Sequence, residues 1–403
     1  MIGPFNLLSF ESKSNCCGCR ACESICPVGA ISMNEDAEGF IYPLVDTEAC
    51  VNCCLCERVC PVVKNKKNPH SEYALACYSK DTVIRNNASS GGVFELLARE
   101  VIADGGVVFG AAFDNQLTLK HMYADNLQDL KKLCKSKYIQ SDTNNVFVKV
   151  REFLADKRRV LFVGTPCQVS ALNNFLGKQY DQLLTVDFIC HGVPSDKMFK
   201  SYIHSEEQRR GGIIKSFSFR IKDGNIKHVH GYSYTIEKNG RSKKYRGMFF
   251  DNPFYFAFKK YLILRPSCYR CKYCTPERVS DITLADFWGI EDYLPYVDFN
   301  KGVSMVLVNG EKGQTAFGAL HKNIDSYQFG IDVAIKCNHC FSAPTKLPQN
   351  REKLMQNYQS LSFNEFIKRH IMSKKTVIYK IYYILPMFVR KRLIKMFRGV
   401  GYV

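Results

Sequence analysis

The sequence predicts a chain of mixed class, α+β and α/β, with a small cysteine-rich N-terminal module, an α/β body and a helical, basic tail. Three observations predict it. Within the first 66 residues one cysteine pattern occurs twice, as Cys16-x2-Cys19-x2-Cys22-x3-Cys26-Pro27 and as Cys50-x2-Cys53-x2-Cys56-x3-Cys60-Pro61. Residues 71–350 alternate short apolar runs with helix-like segments, the pattern of layered α/β architecture. Residues 351–403 carry twelve Lys/Arg against two Asp/Glu.

With 403 residues the chain can build more than one core. The divisions expected are 1–66, 71–180, 181–350 and 351–403, with Lys64–His70 as a polar linker. A hydrophobic content of 46% excludes general disorder. Nineteen cysteines would mean disulfides in a short secreted chain. The polar first residues lack a signal-peptide pattern, so metal-bound thiolates in a reducing, cytoplasmic setting are expected. The net charge of +18 is uneven: residues 1–70 hold six Lys/Arg against eight Asp/Glu, so the excess concentrates in the tail. That placement argues against nucleic acid as a partner and for an anionic membrane surface.

Apolar runs at 73–78, 107–113, 160–164, 183–190, 282–287 and 303–308 read as strands of a partly parallel sheet. Residues 232–245 read as a β-hairpin turning at Asn239-Gly240. In the tail, residues 376–398 combine aliphatic and aromatic side chains with Lys and Arg, and Pro386 breaks or kinks the helix. The apolar run from Val377 to Val389 is shorter than the roughly 20 residues needed to span a bilayer. It reads either as an interfacial helix on the inner face of a membrane or as a helix docked on the protein itself.

Three thiolates spaced two residues apart can wrap three corners of one iron–sulfur cubane. The fourth, displaced by three residues and followed by proline, points to the other cubane. Cys16, Cys19, Cys22 and Cys60 are therefore expected to hold one 4Fe–4S cluster, and Cys50, Cys53, Cys56 and Cys26 a second, as in a bacterial two-cluster ferredoxin. Structural zinc needs four ligands and no such order, so it is the weaker reading. Cys17 and Cys54 fall out of register and read as bystanders. Two clusters make a wire and do no organic chemistry themselves.

Cys268, Cys271 and Cys274 form a third CxxCxxC without the following Cys-Pro. A fourth ligand must come from afar, with Cys190, at the end of an apolar strand, ahead of Cys167, at a helix start. A zinc knuckle competes with this reading. Cys337-x2-Cys340 reads as a surface thiol pair or a zinc half-site, and Cys77 and Cys134 as core residues. Ser89-Ser90-Gly91-Gly92 at a helix start offers free N–H groups to a phosphate, although alone it is more often a plain cap. Gly164-Thr165-Pro166-Cys167-Gln168 is a strand-to-helix turn of the ligand-binding kind. No GxGxxG occurs, which leaves a nicotinamide site unsupported. His191 is a candidate proton donor beside a redox centre, set against a histidine that satisfies a backbone carbonyl. Trp288, the only tryptophan, packs either on a cofactor or in the core.

In order, Asn87–Phe94, Gly105–Phe113, Gly164–Gln168, Cys190–Ser195, Ser218–Lys222, Ser267–Cys271 and Asp281–Gly289 resemble the coenzyme F420 hydrogenase/dehydrogenase beta-subunit family. The likeness is to its bacterial branch with a fused N-terminal ferredoxin, and it spans roughly residues 10–345. The resemblance implies FAD beside a third 4Fe–4S cluster. Residues 71–180 would be the flavin-binding part of the body and 181–350 the part with the third cysteine set. It implies Ser89, Ser90, Gly91, Gly92, Gly164, Thr165, Pro166 and Gln168 at the flavin. The family shows cysteines at the positions of Cys167, Cys190, Cys268 and Cys271, so Cys274 is a departure. The function implied is an oxidoreductase carrying electrons from a low-potential donor through clusters to FAD and a two-electron acceptor. That acceptor is a redox partner protein or a small molecule, and bacterial relatives point to surface-polysaccharide metabolism. The alternative is a non-catalytic electron-transfer subunit serving another oxidoreductase. A zinc-rich nucleic-acid-binding protein is a weak third class, because the basic charge avoids the cysteine modules.

Overall fold

The computed structural model describes residues 14–64, 71–223 and 226–371, with Leu385 and Val389 as single positions; of residues 223–230 the side chains are not described. The tail segment 376–398 with Pro386 therefore lies outside the described residues apart from those two positions, as does the linker beyond Lys64.

The module is a short antiparallel hairpin, β1 (Ile31–Glu35) and β2 (Ile41–Val45), flanked by the helices Ala21–Ile25 and Leu55–Val59. The sequence repeat is also a backbone repeat. Each helix follows a residue in the left-handed region, Arg20 (φ 60°) and Cys54 (φ 57°), and ends on an extended cysteine, Cys26 and Cys60. Gly18 (φ 65°) and Asn52 (φ 57°) correspond in the same way. Cys54 thus occupies the position of Arg20.

The body is built on one eight-stranded mixed sheet. Its strands are β3 (Tyr73–Ser79), β4 (Val107–Phe113), β5 (Leu119–Ala124), β6 (Val160–Val163), β7 (Leu183–Phe188), β11 (Ile282–Asp286), β12 (Ser304–Val308) and β13 (Ile324–Gly330). The order is β13-β3-β12-β11-β7-β6-β4-β5. The centre, β4-β6-β7-β11, is parallel, and both edges are antiparallel. Central strands are covered on both faces, which is why they appear as continuous apolar runs. Val108, Leu161, Leu184, Val186 and Ile282 pack under the helix Val93–Ala103. On the other face Val107, Phe109, Val160, Phe162 and Leu183 pack under the helices Val146–Ala155 and Pro166–Leu176.

A second, three-stranded antiparallel sheet is formed by β8 (Ile213–Asp223), β9 (Ile226–Lys238) and β10 (Arg241–Met248). Its hairpin turns at Asn239 (φ 49°) and Gly240 (φ 73°), the two left-handed positions expected of that dipeptide. An aromatic core joins this sheet to the helix Asp196–Arg210, with Phe199, Phe217, Phe219 and Phe254 at its centre.

The module is keyed into the body by buried polar contacts. Arg265, 1% exposed, donates to the carbonyls of Cys16 (2.7 Å) and Ile41 (2.8 Å) and to Gln140 Oε1 (3.0 Å). Thr143 Oγ1 donates to the Cys19 carbonyl at 2.8 Å, and Tyr273 to the Pro61 carbonyl at 2.9 Å. Arg351 pairs with Glu38 at 2.6 Å. Gly18 allows the close approach, because a Cβ there would sit 2.7 Å from Arg265 Nη1.

Candidate functional site

The first expected ligand set comes together. Cys16, Cys19, Cys22 and Cys60 line one small cavity, with Met33, Pro43 and Val62 completing an apolar wall. Burial pushes the Cys22 thiol up to about 12, and the neighbouring Cys16 and Cys60 add to this. Such clustering of thiols without a counter-charge is what a metal centre resolves. Of the second set, Cys26 and Cys56 pack around Cys22, Ile31 and Cys60, and Cys53 lies close enough to Cys56 to raise its pKa.

In the body, two loops leave the carboxyl ends of the adjacent parallel strands β6 and β7. The first leads straight into the helix Pro166–Leu176, whose second residue is Cys167, and the second carries Cys190. Both thiols meet Cys268 and Cys271: Cys190 feels Cys268, Cys167 and Cys271, and Cys268 feels Cys271 and Cys167. Gly192 (φ 102°) lets the Cys190 loop close on this group, since a Cβ there would stand 3.0 Å from Cys268 Cβ. Cys274 lies next to both Cys271 and Cys340. Cys17 lies next to both Cys19 and Cys167, so it stands between the module's first thiol set and the body's.

Cys17, Cys167, Cys190, Cys268 and Cys271 all open on one large cavity of about 400 Å3, within the size range of cofactor sites. The cavity reaches Ser89, Ser90, Gly92, Gly164, Thr165, Pro166 and Gln168, and also His121, Arg220, Lys259, Asp286 and Trp288. Gly91 does not line it. Its N–H donates to Ser304 Oγ (2.9 Å), and a Cβ there would meet the Cys77 carbonyl at 2.2 Å, so this glycine serves strand packing.

The turn before the helix Val93–Ala103 is held by cations. Arg220 donates to the Ser89 carbonyl (2.8 Å) and Lys222 to the Ser90 carbonyl (2.5 Å). Burial pushes the Lys222 ammonium down to about 7. Gly92 caps the helix without a side-chain hydrogen bond, and the first turn, Val93–Glu95, lines the cavity with N–H groups that have no partner within the helix. Arg220 also pairs with Asp286 at 2.6 Å. Burial alone would raise the Asp286 carboxyl, but Arg220 outweighs it and holds it below its usual range. Arg220 Nε is buried without a partner, an orphaned donor beside the cavity. Burial lowers the Lys259 ammonium to about 8.

Thr165 and Gln168 form a reciprocal helix cap, and Gln168 Nε2 donates to Ser141 Oγ at 3.0 Å. Their polar atoms are spent within the protein, so they shape the wall. His121 is buried; its Nε2–H donates to the Val163 carbonyl (3.0 Å), Nδ1 faces Ser141 Oγ (2.8 Å), and burial drops its pKa to about 4. It is a neutral imidazole at physiological pH. Helix N–H groups, an orphaned guanidinium donor and a buried ammonium beside an apolar wall fit an anionic, aromatic cofactor such as FAD. Sequence spacing did not reveal Arg265, Gln140, His121 or Lys259, which come from four separate segments, whereas Asp286 lies within the Asp281–Gly289 stretch that carries the resemblance.

This geometry defines an iron–sulfur electron-transfer protein of oxidoreductase type on a mixed α/β fold. Residues 157–326 match the family described as the C terminus of the coenzyme F420 hydrogenase/dehydrogenase beta subunit, and residues 15–63 match the 4Fe-4S dicluster domain. Among solved structures, the xenon-derivatised F420-reducing NiFe hydrogenase complex from Methanosarcina barkeri is similar, at 16% identity. The match covers 72% of this chain and 93% of that one, with a TM-score of 0.45. No curated protein matches. Among the described residues no helix is long and apolar enough to cross a membrane.

Proposed function

We propose that this chain is a flavin-dependent reductase fed by an internal iron–sulfur wire. Cys26, Cys50, Cys53 and Cys56 hold the outer cluster, and Cys16, Cys19, Cys22 and Cys60 the next. Cys167, Cys190, Cys268 and Cys271 hold a third cluster, and FAD occupies the large cavity. The observation that carries this reading is a single opening: Cys17, beside the module's thiols, and all four body thiols line the same cavity as the Ser89–Val93 helix start. Bound FAD would supply the conversion of single electrons into two-electron chemistry. The chain's own residues do the rest. Helix N–H groups and Lys259 receive the pyrophosphate, Arg220 and Asp286 stay charged beside it, and Arg265 fixes the module against the body.

The test is anaerobic mixing of iron–sulfur-reconstituted protein with FAD, followed by titration with a low-potential reductant. The expected result is stoichiometric FAD retention, with cluster bleaching followed by flavin bleaching in the same molecules. Absence of FAD retention by the fully metallated protein sinks the proposal. Retained FAD that reacts only with a second protein, and never with a small acceptor, would make the chain an electron carrier for that partner.

A further inference from the structure

Beside the body's thiol set lies a second group of metal-binding side chains, of which His191 alone reaches the large cavity. At its centre is Cys340, 1% exposed. Its Sγ stands 3.3 Å from His191 Nδ1 and 3.2 Å from His339 Nε2. Ligand atoms of His191, His339 and Cys340 all fall within 4.8 Å of one another. The fourth member is Cys274, which lies next to Cys340 and also next to Cys271.

These donors arrive from three segments: the loop after β7, the third cysteine of the CxxCxxC loop, and the short turn His339–Phe341. Two imidazole nitrogens and a second thiol gather around this one sulfur, and such a donor set suits a shared cation. Around tetrahedral zinc, with Zn–S about 2.3 Å and Zn–N about 2.0–2.1 Å, a sulfur and a nitrogen ligand lie about 3.5 Å apart. The two measured separations fall within about 0.3 Å of that edge. Two sulfurs and two imidazoles also suit a single borderline-soft ion better than a cubane, whose ligands are thiolates. An outer partner is in place: Thr345, 2% exposed, donates to the His191 carbonyl (3.1 Å) and lies 3.6 Å from Cys340 Sγ. Such second-layer contacts orient metal ligands.

We propose that Cys274, Cys340, His191 and His339 form a mononuclear zinc site, separate from every iron–sulfur site. It gives a role to Cys274, which does not line the cavity. It also ties the 339–345 segment to the two loops that present Cys190 and Cys271, because His191 follows Cys190 directly and Cys274 lies one CxxC step beyond Cys271. Zinc would hold those loops in place whether or not a cubane is present, so this inference stands independently of the flavin reading.

The experiment uses the full chain, purified anaerobically, reconstituted with iron and sulfide, and incubated with stoichiometric Zn2+. Zinc and iron are counted per chain by mass spectrometry, and zinc ligands are read by X-ray absorption. The result expected is about one zinc with two sulfur and two nitrogen ligands. His339→Ala and Cys340→Ala should each lower zinc at least fivefold with iron unchanged. His339 is exposed, so its variant keeps the fold even if the buried Cys340 variant does not. Zinc below a tenth of an equivalent in the parent protein overturns the proposal, as does full zinc retention by His339→Ala. Iron loss in a Cys340→Ala protein that keeps its fold also overturns it, by placing Cys340 on the cubane.

Discussion

In residues 14–64 the thiols sit on two five-residue helices and the loops around them, over a nucleus of little more than Cys22, Ile31 and Cys60. In the body the thiols hang from loops of an eight-stranded sheet with apolar residues packed on both faces. The module has too little apolar area to offset the chain entropy of ordering it, so its metal binding is also its folding. The body has a core of its own, and its thiol group is a fitting on a scaffold that stands without it. Metal removal should therefore act on the two regions unequally.

The largest expected effect is that inequality itself. Anaerobic chelation of all iron should expose residues 14–64 to proteolysis while a fragment beginning near residue 71 survives, as read by mass spectrometry of a limited digest. Equal loss of both regions would break the comparison.

Next comes the joint between them. Arg265→Met removes one guanidinium and orphans the Cys16 and Ile41 carbonyls and Gln140 Oε1. With about 1–3 kcal/mol per buried unsatisfied group, the docked state should lose at least about 3 kcal/mol. The module should keep its iron, while electron flow from module to body, followed by rapid mixing, slows sharply. Unchanged transfer would show that docking does not depend on Arg265.

A smaller effect belongs to the cavity. Burial lowers the Lys259 ammonium to about 8, and only its charged form attracts a pyrophosphate. A bound anion raises that pKa, so FAD affinity should be flat below about pH 8 and fall as pH rises above it. Lys259→Met should weaken FAD by about tenfold, roughly 1.4 kcal/mol, and flatten the profile. A parent affinity that rises with pH would exclude this role.

The same contrast explains what the sequence revealed. The module's ligands are legible because every contact needed to order them lies within one repeat, and the Cys-Pro displacement sends Cys60 to the first triplet. In the body, β3, β4, β6, β7, β11 and β12 are legible as apolar runs. The edge strands β5 and β13 are half-exposed and carry mixed sequences, LKHMYA and IDSYQFG, that give no such run. The three-residue spacing of Cys268, Cys271 and Cys274 suggests one site, yet only the first two line the cavity, and Cys274 lies between Cys271 and Cys340. Arg265 was out of reach because its partner Cys16 is 249 residues away. No local pattern encodes a contact made only when the sheet and the module are both folded.

The central claim is that the body thiols complete the wire between module and cavity. Its most direct measurement is iron per chain in Cys190→Ser, with Cys54→Ser as a control because Cys54 occupies the position of Arg20 in the module's repeat. Cys190→Ser should fall from about twelve irons towards eight, the loss of one cubane, with the module's signals still reducible and the flavin no longer reduced through them. Cys54→Ser should keep about twelve. A Cys190→Ser protein with the full iron count and full flavin reduction would contradict the account.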